Sequence, residues 1–144
     1  MFKTILYPTD FSDVSNSALD YVKQLKKSGG ENVILLHVID QRSMQAIDQL
    51  AGLNSLELER EIMARADKEL EEIEKDLKKS GFEVKTLLQR GFPVREILKV
   101  EKEENVSVIV IGSHGKSNLE EMFLGSVSEK VTRKCKKPVL IIKR

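Results

Sequence analysis

The chain has 144 residues, a single cysteine, a charged fraction of 33% and a formal net charge of +1. That length suits one domain over residues 1–144, long enough to bury a core without staples, and Cys135 alone excludes an intrachain disulfide or a multi-cysteine metal site. With no basic block, no run long enough to span a membrane, and an opening MFKTILYPTDFS that lacks a signal-peptide pattern, the expected setting is the cytoplasm, without nucleic acid or membrane as partner.

Residues 3–7, KTILY, read as a first strand stopped by Pro8, with Thr9 and Asp10 at its exit. Ser12 or Asp13 then caps a helix whose apolar positions Val14, Ala18, Tyr21, Val22 and Leu25 fall at helical spacing, and Ser28-Gly29-Gly30 ends it. The run NVILLHVI, 32–39, is nearly all apolar and too short for an ordinary helix, which fits a strand buried on both faces. Residues 40–54 show no clean period and read as a mobile connection with at most a short helical turn. From Ser55 the positions Leu56, Glu59, Ile62, Met63, Ala66, Leu70, Ile73 and Leu77 make one mostly apolar stripe on a long helix stopped by Ser80-Gly81.

FEVKTLL, 82–88, alternates as a strand with one partly exposed face. Gly91-Phe92-Pro93 turns the chain into a helix marked by Val94, Ile97, Leu98 and Glu101, with Pro93 well placed at its start. A β-branched strand at 106–111, a glycine stretch, a helix at 126–134 and a closing strand PVLII at 138–142 complete the order. Strands alternating with helices through short connections force parallel pairing and right-handed crossovers. The expected fold is α/β: a five-stranded parallel sheet with helices on both faces, Rossmann-like and doubly wound.

The stretch VIVIGSHGKSNLEEMFLGSVS carries the chemistry. After a buried strand come Gly112, Gly115 and the pair Gly125-Ser126, spaced Gly, two residues, Gly, nine residues, Gly-Ser, just before a helix. Glycines let bare backbone N–H groups approach anionic oxygen, and the helix start adds its positive end, with Ser126 offering a hydroxyl and Val127 an N–H. The pattern is neither GxGxxG nor GxxxxGK[ST]. Ligands in open parallel sheets sit beyond the strand C-termini at the switch point, so the exits Pro8-Thr9-Asp10, Val38-Ile39-Asp40 and Ile111-Gly112-Ser113 are the expected walls. Asp10 either accepts from a sugar hydroxyl or caps the following helix. His114 either touches phosphate or is an exposed loop histidine, and the exposed reading is preferred. Lys116 is either a phosphate neighbour or a solvated loop lysine. His37, in an apolar strand, reads as a hydrogen-bonded core histidine. Lysines on both sides of Cys135 can lower its pKa, although with no partner histidine in view an idle thiol is the better reading.

These residues closely resemble the ATP-binding branch of the universal stress protein family. The glycine pattern is complete as Gly112, Gly115, Gly125 and Ser126, and KTILYPTDFS, VILLHVID and KKPVLIIKR resemble the family's first, second and last strands. The resemblance implies the adenine nucleotide α hydrolase-like sheet and a site that holds ATP, with Mg or Mn accompanying it, or ADP or AMP instead. Pro8, Thr9 and Asp10 would lie near adenosine, and Val38 would meet adenine through its backbone. Ile111, Gly112, Ser113, His114 and Gly115 would line the nucleotide, and Gly125, Ser126 and Val127 would hold the phosphates. It also implies a homodimer through the last strand, residues 139–142. Three functions are open: a nucleotide-dependent regulatory switch acting on an unidentified protein partner, a slow or partner-stimulated ATP hydrolase, and a dimeric scaffold sensing an adenine ligand. No residue stands out as catalytic.

Overall fold

A computed structural model of the chain describes residues 1–114 and 124–143. Five parallel strands form one sheet in the order β3-β2-β1-β4-β5: β1 Thr4–Pro8, β2 Asn32–Asp40, β3 Glu83–Gly91, β4 Val108–Gly112 and β5 Val139–Ile142. The helices are α1 Asp13–Gln24, α2 Gln41–Ala51, α3 Ser55–Lys79, α4 Pro93–Glu103 and α5 Ser126–Lys134. Alternation along the central strands divides the apolar side chains between two layers. Ile5, Tyr7, Val33, Leu35, Val108 and Val110 face Ala18 and Val22 of α1 and Leu70 and Leu77 of α3. Leu6, Ile34, Leu36, Ile109 and Ile111 face Ile97 and Val100 of α4 and Val131 of α5. The expected doubly wound sheet, covered on both faces, is the one found.

Three sequence expectations are corrected. Residues 40–54 form α2 and a short 3-10 turn leading into α3. Asp40 caps α2 by accepting from Arg42 N–H at 2.9 Å. The helix buries Met44 alone, too narrow a stripe to register as a period. The apolar positions are also less covered than their spacing suggests. Tyr21 is 47% exposed on α1, and Leu56 and Met63 of α3 are 58% and 37% exposed. Last, β3 runs beyond residue 88 to Gly91, since it pairs residue for residue with β2 from Asn32↔Glu83 to Asp40↔Gly91. Among the described residues no helix is long and apolar enough to cross a membrane.

Glu101 is buried on α4, and its oxygens accept from the backbone N–H groups of Lys136 and Lys137 at 3.1 Å. It thereby fixes the turn that delivers β5. Burial, with the Glu101 charge added, pushes the Cys135 thiol up rather than down. The flanking lysines do not activate it, which leaves an idle thiol.

Candidate functional site

The chain leaves β1 for α1 on one face of the sheet and leaves β4 towards α5 on the other. Between these two exits, at the C-terminal edge, lies a cleft of about 870 Å³, where opposed crossovers leave a crevice in any doubly wound sheet. Of the residues expected from sequence, Pro8, Thr9, Asp10, Val38, Ile39, Asp40, Ile111, Gly112, His114, Gly125, Ser126 and Val127 line it. Ser113 does not, and Gly115, like Lys116, lies outside the described residues.

The β1 exit is built from inside outward. Thr9 is buried, and its hydroxyl accepts from Phe11 N–H at 3.0 Å and from the Ser15 hydroxyl at 2.7 Å. Tyr7, behind it, donates to the Ser15 carbonyl at 2.5 Å, and burial pushes its phenol up to about 12. The Thr9 carbonyl can only accept, so the 2.7 Å contact from His37 Nδ1 puts a proton on that nitrogen. The His37 ring stacks on Phe11 at 4.3 Å. Phe11 sits at φ 64°, a left-handed conformation that costs a non-glycine residue about 1–2 kcal/mol; the Thr9 hydroxyl and the His37 stack hold it there. The resulting turn presents Asp10 to the cleft, with Asp10 Oδ1 accepting from Ser12 N–H at 3.0 Å. The cap of α1 is Ser12, which accepts from Ser15 N–H at 3.2 Å. Asp10 is therefore not that cap.

β2 outlasts β1. The final β1-side bond runs from Thr9 N–H to the Leu36 carbonyl. Because strand groups alternate direction with period two, the N–H and C=O of Val38 turn to the same side, past the end of β1 and into the cleft. They offer one donor and one acceptor side by side, the pattern of an adenine edge.

At the β4 exit, Gly112 has no room for a side chain. A Cβ there would lie 3.0 Å from Val14 Cγ1 and 3.1 Å from Ser15 N, so its glycine is set by the packing of α1. Ser113 is buried and structural. Its N–H donates to the Ile142 carbonyl, and its carbonyl accepts from Gly125 N–H and the Ser128 hydroxyl, both at 2.7 Å. These bonds fix where α5 begins. His114 is only 7% exposed, which corrects the exposed-loop expectation. Its Nδ1 pairs with the Ser113 hydroxyl at 2.7 Å, and its buried Nε2 has no partner among the described residues.

Four helices start at this edge of the sheet. α1 is capped by Ser12 and α2 by Asp40; α4 and α5 both begin with no side-chain cap, at Phe92 and Gly125, but Pro93 removes one of the free N–H groups of α4. The uncapped N–H groups of the α5 first turn, at the positive end of its dipole, make that start the anion-seeking end. Across the cleft, hydrogen bonding to Arg42 holds the Asp40 carboxyl below the usual carboxylate range. Sequence reasoning left out Ser15, Leu36, His37, Ser43, Ile62, Pro93, Ile97 and Ser128 as lining residues. His37 was recoverable from the β2 exit; Ser43 and Ile62 depend on α2 and α3 folding over the opening. Among the described residues no three His, Cys, Asp or Glu side chains gather as a metal cage.

Sheet order, crevice and uncapped helix together define a doubly wound α/β protein with its cleft at the switch point. Residues 1–143 match the family model described as the universal stress protein family. The chain is 45% identical to Universal stress protein MJ0577 of Methanocaldococcus jannaschii, covering 100% of this chain and 96% of that one. The solved structure of MJ0577 superposes with a TM-score of 0.90, covering 100% and 97% of the two chains. This chain belongs to the universal stress protein family. The same fold recurs in a universal stress protein in complex with cAMP, at 24% identity and TM-score 0.69 over 99% of this chain and 97% of that one. It recurs again in the Archaeoglobus fulgidus protein in complex with dAMP, at 20% identity and TM-score 0.66 over 99% and 98%.

Proposed function

We propose that residues 1–144 form one nucleotide-binding domain that holds ATP in the cleft between the β1 and β4 exits and acts as a regulatory switch in the cytoplasm. The observation that carries this reading is the uncapped start of α5, opening into a cleft towards which Val38, past the end of β1, turns a backbone donor and acceptor. Phosphates sit on the N–H groups of Ser126 and Val127, adenine meets Val38, and Asp10 takes the ribose hydroxyls. Gly112, Gly115, Ile111 and His114 close around the chain of phosphates, and Ser113 fixes the frame. A Mg or Mn ion travels with the phosphates, since the described residues supply no cage for it. ADP and AMP present the same adenine and ribose and bind with fewer phosphate contacts. Family members of this fold hold cAMP and dAMP, which supports an adenine ligand.

Efficient hydrolysis needs a group that orients the attacking water. Among the described residues the cleft holds two carboxylates, Asp40, paired with Arg42, and Asp10, assigned here to the ribose, so neither is left to orient water and holding the nucleotide is favoured over consuming it. Calorimetry with ATP tests the site. Replacing Gly125 with Glu sets a carboxylate at the uncapped helix start, and affinity should fall at least tenfold, about 1.4 kcal/mol, with the fold intact by circular dichroism. Unchanged affinity would sink the reading. Multiple-turnover assays with Mg²⁺ separate switch from enzyme, because rapid phosphate release by the purified protein establishes the hydrolase instead.

A further inference from the structure

The balanced charge from which the sequence reading set nucleic acid aside, a net +1, is an average over a chain whose fold segregates its charges. Along α3 carboxylates outnumber cations. The opposite face of the sheet is covered by α4 and α5, packed side by side and running parallel. On α4, Arg95, Lys99 and Lys102 follow one another at i, i+4 and i+7, a row about 10 Å long. On α5 and the turn after it stand Lys130 and Lys134, then Lys136 and Lys137. All are exposed, and among the described residues none makes an ion pair. The carboxylates that could neutralise them are mostly committed elsewhere. Glu101 is buried on backbone N–H groups, Glu104 binds Lys85, and Glu129 binds Arg133, which among the described residues of α4 and α5 leaves Glu96 and Glu103.

Helix dipoles explain part of this pattern. Lys102 and Lys134 lie in last turns, where a cation is favoured. They do not explain Arg95, in the first turn of α4 beside the positive end, nor Lys99 and Lys130 before the last turns. We propose that the α4–α5 face binds the phosphodiester backbone of a nucleic-acid duplex without reading its sequence. The side chains decide among the anionic partners. Protein interfaces are depleted in lysine and enriched in aromatic, methionine and arginine anchors, whereas this face is lysine-rich. Among the described residues its one large exposed apolar side chain is Phe92, at the start of α4, and Arg95 lies over that ring. The same lack of apolar anchors disfavours a lipid surface. Point charges without stacking groups suffice for a phosphate backbone.

The test is fluorescence anisotropy of the full chain with a labelled duplex of about 20 base pairs, titrated from about 25 to 200 mM KCl. Each phosphate neutralised contributes about −0.9 to the log–log salt slope, so four to six contacts give roughly −4 to −5. The triple variant Lys99→Gln, Lys130→Gln, Lys134→Gln should flatten that slope by about 3 while leaving ATP affinity unchanged, because none of the three lines the cleft. Arg65→Gln, Lys68→Gln, Lys75→Gln on α3 removes the same charge from the opposite face and should leave duplex binding as it was. Equal loss in both triple variants, or no binding at the lowest salt, overturns the proposal. So does displacement of the duplex by poly-L-glutamate at equal charge concentration, which reassigns the face to an acidic protein.

Discussion

Gly112 shows how one missing side chain links packing to the cleft. α1 comes so close to the end of β4 that an added Cβ would meet Val14 Cγ1 at 3.0 Å and the backbone of Ser15 at 3.1 and 3.3 Å. Val14 can shift its rotamer, but the Ser15 backbone cannot move without moving the start of α1. That start carries Ser12, which donates its N–H to Asp10, and Ser15, whose hydroxyl holds Thr9. Gly112→Ala should therefore destabilise the fold by about 1–3 kcal/mol, the usual cost of overpacking, and also weaken ATP binding by displacing the Asp10 turn. Urea denaturation and calorimetry on the same preparation read the two effects. A variant with unchanged stability would show that α1 accommodates the methyl freely, and the coupling would be absent. The glycine was legible in the sequence, but its cause was not. The spacing of Gly112 to Gly125 suggested a loop around phosphate, whereas the need at Gly112 comes from residues nearly one hundred positions earlier, which spacing cannot express. His114 shows the same limit. A histidine between glycines reads as exposed, yet the Ser113 pairing and the packing at the β4 exit bury it.

Among the elements, α2 was the least legible and is the most exposed to solution conditions. The strands announced themselves because burial on both faces demands uninterrupted apolar runs, as in 32–39. The long α3 did so through its period. α2 buries only Met44, and what starts it is a side chain, Asp40, rather than a pattern. Asp40 accepts from Arg42 N–H and pairs with the Arg42 guanidinium at 3.0 Å. Those contacts hold its carboxyl below the usual range. A carboxyl whose folded pKa is depressed contributes stability above its unfolded value and loses it as pH falls through the folded one. Asp40→Ala should cost about 1 kcal/mol at neutral pH, the value of a helix cap. The difference from the parent should shrink below the ordinary aspartate range, near pH 4. Asp40→Asn keeps the cap and loses the ion pair, so its cost at neutral pH should be smaller and should vanish as the parent's own carboxylate takes up a proton. Urea midpoints at pH 7 and about pH 3 decide it, and a gap of constant size across that interval would show that the carboxylate charge contributes nothing at α2.

At the scale of the whole molecule, the sheet has two open edges, and they differ. β3 is long, and its outward residues alternate with charged ones, Glu83 and Lys85 among them, which blunts an edge. β5 is short and apolar, with Leu140 38% exposed. Its backbone groups divide by parity. Ile109 N–H takes the Pro138 carbonyl and Ser113 N–H takes the Ile142 carbonyl, so residues 138, 140 and 142 bond to β4. Val139 and Ile141 turn their N–H and C=O groups outward, to the open side. An apolar edge with unpaired groups invites a second strand, and a copy of β5 related by a two-fold axis offers the matching donors and acceptors. This is the physical content of the dimer that family resemblance implies, and light scattering of the full chain should give twice the chain mass. Ile141→Pro removes one outward N–H while leaving every β4 bond in place, since an edge strand tolerates proline on its solvent side. The variant should elute as a monomer and still bind ATP, because the cleft lies beyond Ile111 and not along the β5 edge. A dimer that survives Ile141→Pro is held by another surface, and loss of ATP binding together with dimerisation would mean that the partner copy completes the site.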